Sequence, residues 1–312
     1  MAEADPGQAA GPTGLARQAD SGGVAWGLEL DRAVLVPGRL VGGRVHLTSH
    51  RDLDARGLVI ALVAVEHWRH RVTSTDAHGN AHTEVVTTRA ELTRVPVQLA
   101  GEIHIGPGES RDWTFELPVP PMGPASLDAN DAGVDWTVEA KLDIPGGFDS
   151  SIEAPVVVAQ PTALLRAGAI DVGQFALFDS ADVGADGIRG SILLEPMPLV
   201  CGEAFAGHLA LEMGRTQRLQ EIRAELRLEV KATVSGGESE AVTVWAGQLA
   251  AGGDYAGAQA FPIEGRIDAR PLPTSELPHG RARATFHVIL ARAWAVDAHL
   301  ARDVTIATTR EV

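Results

Sequence analysis

The stretch "QEIRAELRLEVKATV", residues 220–234, decides the fold. Ile222, Ala224, Leu226, Leu228 and Val230 alternate with Glu221, Arg223, Glu225, Arg227 and Glu229. A helix turns roughly 100° per residue and scatters such charges around its circumference. A strand gathers them all on one face, so the stretch reads as a half-buried β-strand. Upstream, "RGLVIALVAVEHW" (56–68) has the same period but apolar residues on both sides. Leu58, Ile60, Leu62 and Ala64 share one face, and Val59, Ala61, Val63 and Val65 the other. That pattern predicts a strand covered on both faces.

These two strands are one element met twice. "VPGRLVGGRVHL" (36–47) precedes the first and "EPMPLVCGEAFAGHLAL" (195–211) precedes the second. Gly43, Val45, Leu47, Leu58 and Leu62 match Gly207, Leu209, Leu211, Ile222 and Leu226 at a constant offset of 164. Three later segments keep the order. "WTFELPVP" (113–120) answers "AQAFPIEG" (258–265), "VDWTVEAKL" (134–142) answers "ARATFHVIL" (282–290), and "EAPVVVA" (153–159) answers "ARDVTIA" (301–307). Four matches in order predict two copies of one β-domain. Short strands between Gly/Pro turns make the fold all-β, as two tandem immunoglobulin-like β-sandwich domains. The expected boundaries are a flexible tail at 1–23, a first sandwich at 24–160 and a second at 161–312. In "PGRLVGG", Pro37 and Gly38 form a tight turn, while Gly42 and Gly43 suit a bulge or a close backbone approach.

Composition narrows the function. The 312 residues carry 26 basic and 41 acidic side chains, a net charge of −15. Such a field repels phosphates, which excludes a general nucleic-acid binder and leaves at most peripheral membrane contact. Cys201 is the one cysteine, so neither a disulfide framework nor a cysteine zinc site is available. The expected compartment is the cytoplasm, and no cofactor is expected. "GADGIRG" (184–190) lacks the Lys and Ser/Thr of a phosphate loop, and "DSGG" (20–23) has no chain-order partners for a serine nucleophile.

With the repeat in place, three segments carry a resemblance. "LDRAVLVPGRLVGGRVHL", "GPGESRDWTFELPVPPMGPASL" (106–127) and "GVDWTVEAKLDIPGGFDSSIEAPVVV" (133–158) resemble the arrestin-fold superfamily, particularly its α-arrestin-like N-terminal domain. The match runs over about residues 28–158, and 194–230 is similar, more loosely, to the C-terminal domain. Bacterial sporulation-control proteins are similar in having two such sandwiches. The resemblance implies a non-enzymatic scaffold or adaptor that binds protein partners, often near membranes. The ligase-recruiting Pro-Pro-x-Tyr motif of α-arrestins is absent, since the single tyrosine, Tyr255, lies in "GGDYAG". The alternative reading is a ligand- or carbohydrate-binding β-sandwich module, whose sign would be exposed tryptophans along one groove.

One stretch invites chemistry: "HWRHRVTSTDAHGNAH" (67–82), with His67, His70, His78 and His82. Turn residues at 76–80 make it a hairpin with arms at 66–76 and 82–92. His67 and His70 then point to opposite faces, which argues against a metal site. His67, Arg69 and Arg71 share a face, and Arg89 lies on the partner strand. The expectation is an anion- or partner-binding patch of His67, Arg69, Arg71 and Arg89, with Arg69 and Arg89 near enough to grip one acidic group. The plainer alternative is a solvated edge strand.

Overall fold

The computed structural model describes residues 14–76, 78–146, 149–168, 180–183, 187–293 and 295–310. The first half holds β1 (Leu15–Ser21), β2 (Val24–Leu30), β3 (Val34–Leu35), β4 (Leu40–Ser49), β5 (Leu53–Ala55) and β6 (Gly57–Thr75). It continues with β7 (Ala81–Ala100), β8 (Ile103–Ile105), β9 (Ser110–Pro118), β10 (Ala132–Asp143) and β11 (Ser150–Val158). A short helix α1 (Thr162–Gly168) is followed by β12 (Ser180–Val183), β13 (Ile188–Glu195), β14 (Leu199–Val200) and β15 (Ala204–Ala232). The chain closes with β16 (Ser239–Arg266), β17 (Ser275–Glu276), β18 (Gly280–Arg292), β19 (Ala298–Val304) and β20 (Ile306–Ala307).

The fold is all-β, two tandem immunoglobulin-like sandwiches. In the first, one layer runs β1-β2-β4-β9 and the other β3-β11-β10-β6-β7. In the second, β15 and β16 run through both layers. Residues 206–213 of β15 pair with β13, residues 219–232 with β18, and the ladder to β16 breaks between Met213 and Gln217. Alternation sets the core: Ile222, Ala224, Leu226, Leu228 and Val230 are fully buried, whereas Arg227 and Glu229 face solvent. Leu58, Ile60, Ala61, Leu62, Val63 and Ala64 are all buried, so β6 is covered on both faces over that span.

The two sandwiches share one topology, down to register. Leu30 pairs with Gly43 as Leu194 pairs with Gly207. Trp136 pairs with Val156 as Ala284 pairs with Val304, 148 residues on in each strand. A parallel pair closes each copy, Leu35 with Val158 and Leu199 with Ile306. One expected match is out of step. Gly43 faces Phe115 and Gly207 faces Ile263, so the counterpart of "WTFELPVP" starts at Phe261, three residues beyond the alignment read from the sequence.

The N-terminal boundary needs correction. Residues 15–21, expected in a flexible tail, form β1 and pair with β2 in the register Ser21↔Val24. Gly22 and Gly23 make the turn at φ of +62° and +79°, values open to glycine at little cost. The rest of that tail, 1–13, lies outside the described residues.

Two compact units emerge. One comprises the described part of Met1–Glu66 with Ala90–Gly123 and Asp135–Val158; the other comprises His67–Arg89, Pro124–Val134 and the described part of Ala159–Val312. The hairpin at 67–89, expected in the first sandwich, thus groups with the C-terminal residues.

In the first unit, Trp26 of β2 donates from Nε1 to Ser150 Oγ of β11 at 2.8 Å, and that hydroxyl donates onward to Ser21 O at 2.6 Å. A buried polar pair is thereby satisfied across the core. In the second unit the position equivalent to Trp26 is Gly190, where an added Cβ would lie 2.5 Å from Leu300 and 2.9 Å from Leu211. Two leucines fill the space that one indole fills in the other copy.

Candidate functional site

The hairpin of β6 and β7 turns at Asp76–Asn80. Asp76 Oδ1 accepts from the N–H groups of His78 and Asn80, both at 2.9 Å, and Oδ2 accepts from Asn80 Nδ2 at 3.0 Å. These bonds, Asn80 foremost, hold the Asp76 carboxyl below its ordinary range. Gly79 supplies the left-handed residue at φ +85°. Thr73 and Thr83 hydrogen-bond across the arms at 3.0 Å. Beyond the body of the unit the ribbon is bare: residues 71–75 and 81–85 are exposed on both faces.

The base of the ribbon is stitched to two other segments. Arg69 N–H donates to Asp131 O at 2.9 Å, and Arg69 O accepts from Glu238 N–H at 3.0 Å. Arg71 N–H donates to Gly236 O at 2.9 Å, and His70 bridges to Gly237. Gly236 has φ +69°, and a Cβ there would lie 2.9 Å from Arg71 O, so the approach requires glycine. Trp68, buried, stacks on His279 with centroids 4.0 Å apart and rings 13° from parallel.

The side chains repeat the pattern. Arg69 Nη1 meets Asp131 Oδ1 at 2.9 Å. Arg71 grips Glu238 with Nε at 2.6 Å and Nη2 at 3.4 Å. Glu240 accepts from Asp131 N–H at 3.0 Å, from Asn130 Nδ2 at 3.0 Å, and from Asn130 N–H. Burial pushes the Glu240 carboxyl up, but those donors and the nearby Arg69 charge outweigh it and hold the group below its ordinary range. His67 Nε2 donates to Ala129 O at 2.9 Å.

The four predicted residues therefore divide. Arg69 and Arg71, both expected in an anion- or partner-binding patch, are each held by a carboxylate of the chain, and they fasten the hairpin base. His67 serves the same 129–131 loop. Arg89 is exposed on β7. The carboxylates that meet these arginines are Asp131 and Glu238, 62 and 167 residues away in the chain. No local spacing announces such partners. The Gly236–Gly237 pair was the available hint of a tight approach.

The histidines do not converge. His82 lies 3.6 Å from Asp76 at the tip, and among the described residues no group of three or more His, Cys, Asp or Glu side chains is placed to hold a metal ion. Trp26, Trp68 and Trp136 are buried, and Trp113 and Trp245 are half-buried. Trp245 stacks on Phe286 at 5.6 Å and meets Phe205 edge-on, as core packing. A hollow of about 660 Å³ over Gly42 and Gly43 is walled by Glu29, Asp31, Arg44 and Glu116, without a tryptophan. Such walls do not make the aromatic platform that a carbohydrate-binding face requires.

Among the described residues, no helix is long and apolar enough to cross a membrane. The family model described as "Arrestin (or S-antigen), N-terminal domain" matches residues 27–164. No curated protein matches the chain.

Proposed function

The chain belongs to the arrestin-like superfamily, and on that premise we propose that it is a non-enzymatic adaptor that binds protein partners. The observation that carries this reading is the match of residues 27–164 to the arrestin N-terminal domain. The hairpin geometry supports a docking site on the β6–β7 ribbon. Arg69 and Arg71 position it through Asp131 and Glu238, and Arg89 with the exposed Val85, on the same face of β7, forms its contact surface. An exposed guanidinium on one strand face with an apolar side chain suits a partner segment that carries a carboxylate and an apolar residue. The acidic balance turns this reading away from nucleic acid. A lone cysteine suits a reducing compartment, and we assign the cytoplasm.

Affinity capture of the tagged protein from its own host tests the adaptor role. A dominant protein in the eluate supports it. A glycan or small molecule in place of any protein turns the assignment to the binding-module alternative.

A further inference from the structure

The outer face of β15 carries a single row of charge. Glu221, Arg223, Glu225, Arg227, Glu229 and Lys231 take every second position, and Ile222, Ala224, Leu226, Leu228 and Val230 between them lie in the core. All six therefore project from one face of the strand, in the layer where β15 runs between β16 and β18. The signs alternate strictly from an acid at one end to a base at the other.

Within the chain the row is unevenly satisfied. Arg223 meets Glu221 at 2.6 Å and Glu225 at 3.8 Å, and Arg227 Nε donates to Glu225 at 2.7 Å. Glu229 and Lys231 form no ion pair among the described residues. Lys231 instead stands directly across from Arg281 of β18, and like charges so placed destabilise an antiparallel pair.

The flank toward β16 is low and uncharged. Ser239, Ala241, Thr243, Ala246 and Ala251 stand across from Lys231, Glu229, Arg227, Glu225 and Glu221. Such short side chains leave room for a second sheet to approach.

The charge order says what that sheet is. An alternating row of even length complements itself when turned end for end. Turned about Leu226, Glu225 meets Arg227 of a second copy, Arg223 meets Glu229, and Glu221 meets Lys231, each contact made twice. A turn about Ala224 sets Glu229 against the buried Leu219 and leaves Lys231 without an acid. Two chains of net charge −15 repel at a distance. The row itself is neutral, however, and at 0.1 M salt the wider field is screened beyond about 10 Å.

We propose that this face joins two copies of the chain, sheet on sheet, as a two-fold dimer with its axis at Leu226. Stacked sheets cross at about 30°, an offset that side chains as long as Arg223 and Glu229 can span. Several of the charges already have partners in the chain, so the contacts fix orientation and register more than they add affinity. The dimer is therefore weak and reversible, and it is independent of which protein the adaptor binds.

The test is sedimentation equilibrium of the purified full-length protein at about 0.1 M salt. The wild type is expected to show a concentration-dependent monomer–dimer equilibrium. Arg223→Glu sets acid against acid at its contact, and Glu229→Arg sets base against base. Each alone weakens association at least about tenfold. An equal mixture of the two variants associates like the wild type, because each reversed charge then meets an opposite one. A variant that had merely misfolded is not rescued by mixing. Arg17→Glu, the same reversal on the exposed β1 of the first unit, leaves association unchanged. Wild-type protein that stays monomeric at every concentration overturns the proposal, as does a mixture that associates no better than its components. No other protein is present, so failure here leaves the adaptor reading intact.

Discussion

Arg69 and Asp131 are joined twice, main chain to main chain at 2.9 Å and guanidinium to carboxylate at 2.9 Å. The Asp131 carboxylate is nearly buried, whereas the Arg69 side chain is about half in solvent. Removing the arginine leaves a desolvated charge without its counter-ion. Arg69→Ala should therefore lower stability by about 1–3 kcal/mol, more than Arg71→Ala, whose exposed side chain makes a solvent-screened pair worth about 0–1 kcal/mol. Urea unfolding of the two variants measures both.

The loop at 129–131 should respond to acid through Glu240. Its folded value lies below its unfolded one, so its contribution is complete above the ordinary glutamate range, about pH 4.3. That contribution is lost as pH falls through the lower, folded value. Amide exchange at Asn130 and Asp131, corrected for intrinsic rates, should accelerate over that window in the wild type. In Glu240→Gln the acid-dependent step should vanish; an identical step in both proteins would show that another group drives it.

Gly43 and Gly207 occupy the same place in the two copies and should fail in the same way. A Cβ on Gly43 would come within 2.4 Å of Glu29 O and of the Phe115 ring, and one on Gly207 within 2.0 Å of Leu193 O. Either alanine substitution forces backbone apart and should cost about 1–3 kcal/mol. Gly108 provides the contrast, with φ +77° and open space around it. There alanine pays only for the left-handed backbone, about 1 kcal/mol. Thermal melts of the three variants rank the two causes.

Cys201 should be a slow thiol. Burial pushes its pKa up, against a smaller opposing effect of the Leu272 backbone. The thiolate is the reacting species, so alkylation at neutral pH should run at least about tenfold slower in the folded protein than after unfolding in urea. Equal rates would contradict the burial.

Period and repeat made the fold legible. The alternation at 221–230 put every charge on one face, and the offset of 164 aligned β4 and β6 with the two halves of β15 before any pairing was known. The failures have physical causes. β1 is an exposed edge strand with no apolar alternation to reveal it, and its one cue was the Gly22–Gly23 turn. The 258–265 match fell three residues early, because equivalence is set by the positions opposite Gly43 and Gly207, and no residue of that segment marks them in the sequence. Trp26 and Gly190 are equivalent yet share no chemistry, since a core conserves volume and not residue type. At the candidate site the hairpin and its arginines were readable. Their carboxylate partners were not, because Asp131 and Glu238 reach them only through tertiary structure.

The adaptor account stands most directly on quantitative affinity capture with the wild type, an Arg89→Glu/Val85→Asp variant and a Val296→Asp control. The account predicts one dominant protein held by the wild type and the control, and retained at least about tenfold less by the hairpin variant, the loss expected at an interface hot spot. Equal retention by all three would take the hairpin out of the interface, and an eluate with no protein partner would contradict the adaptor role itself.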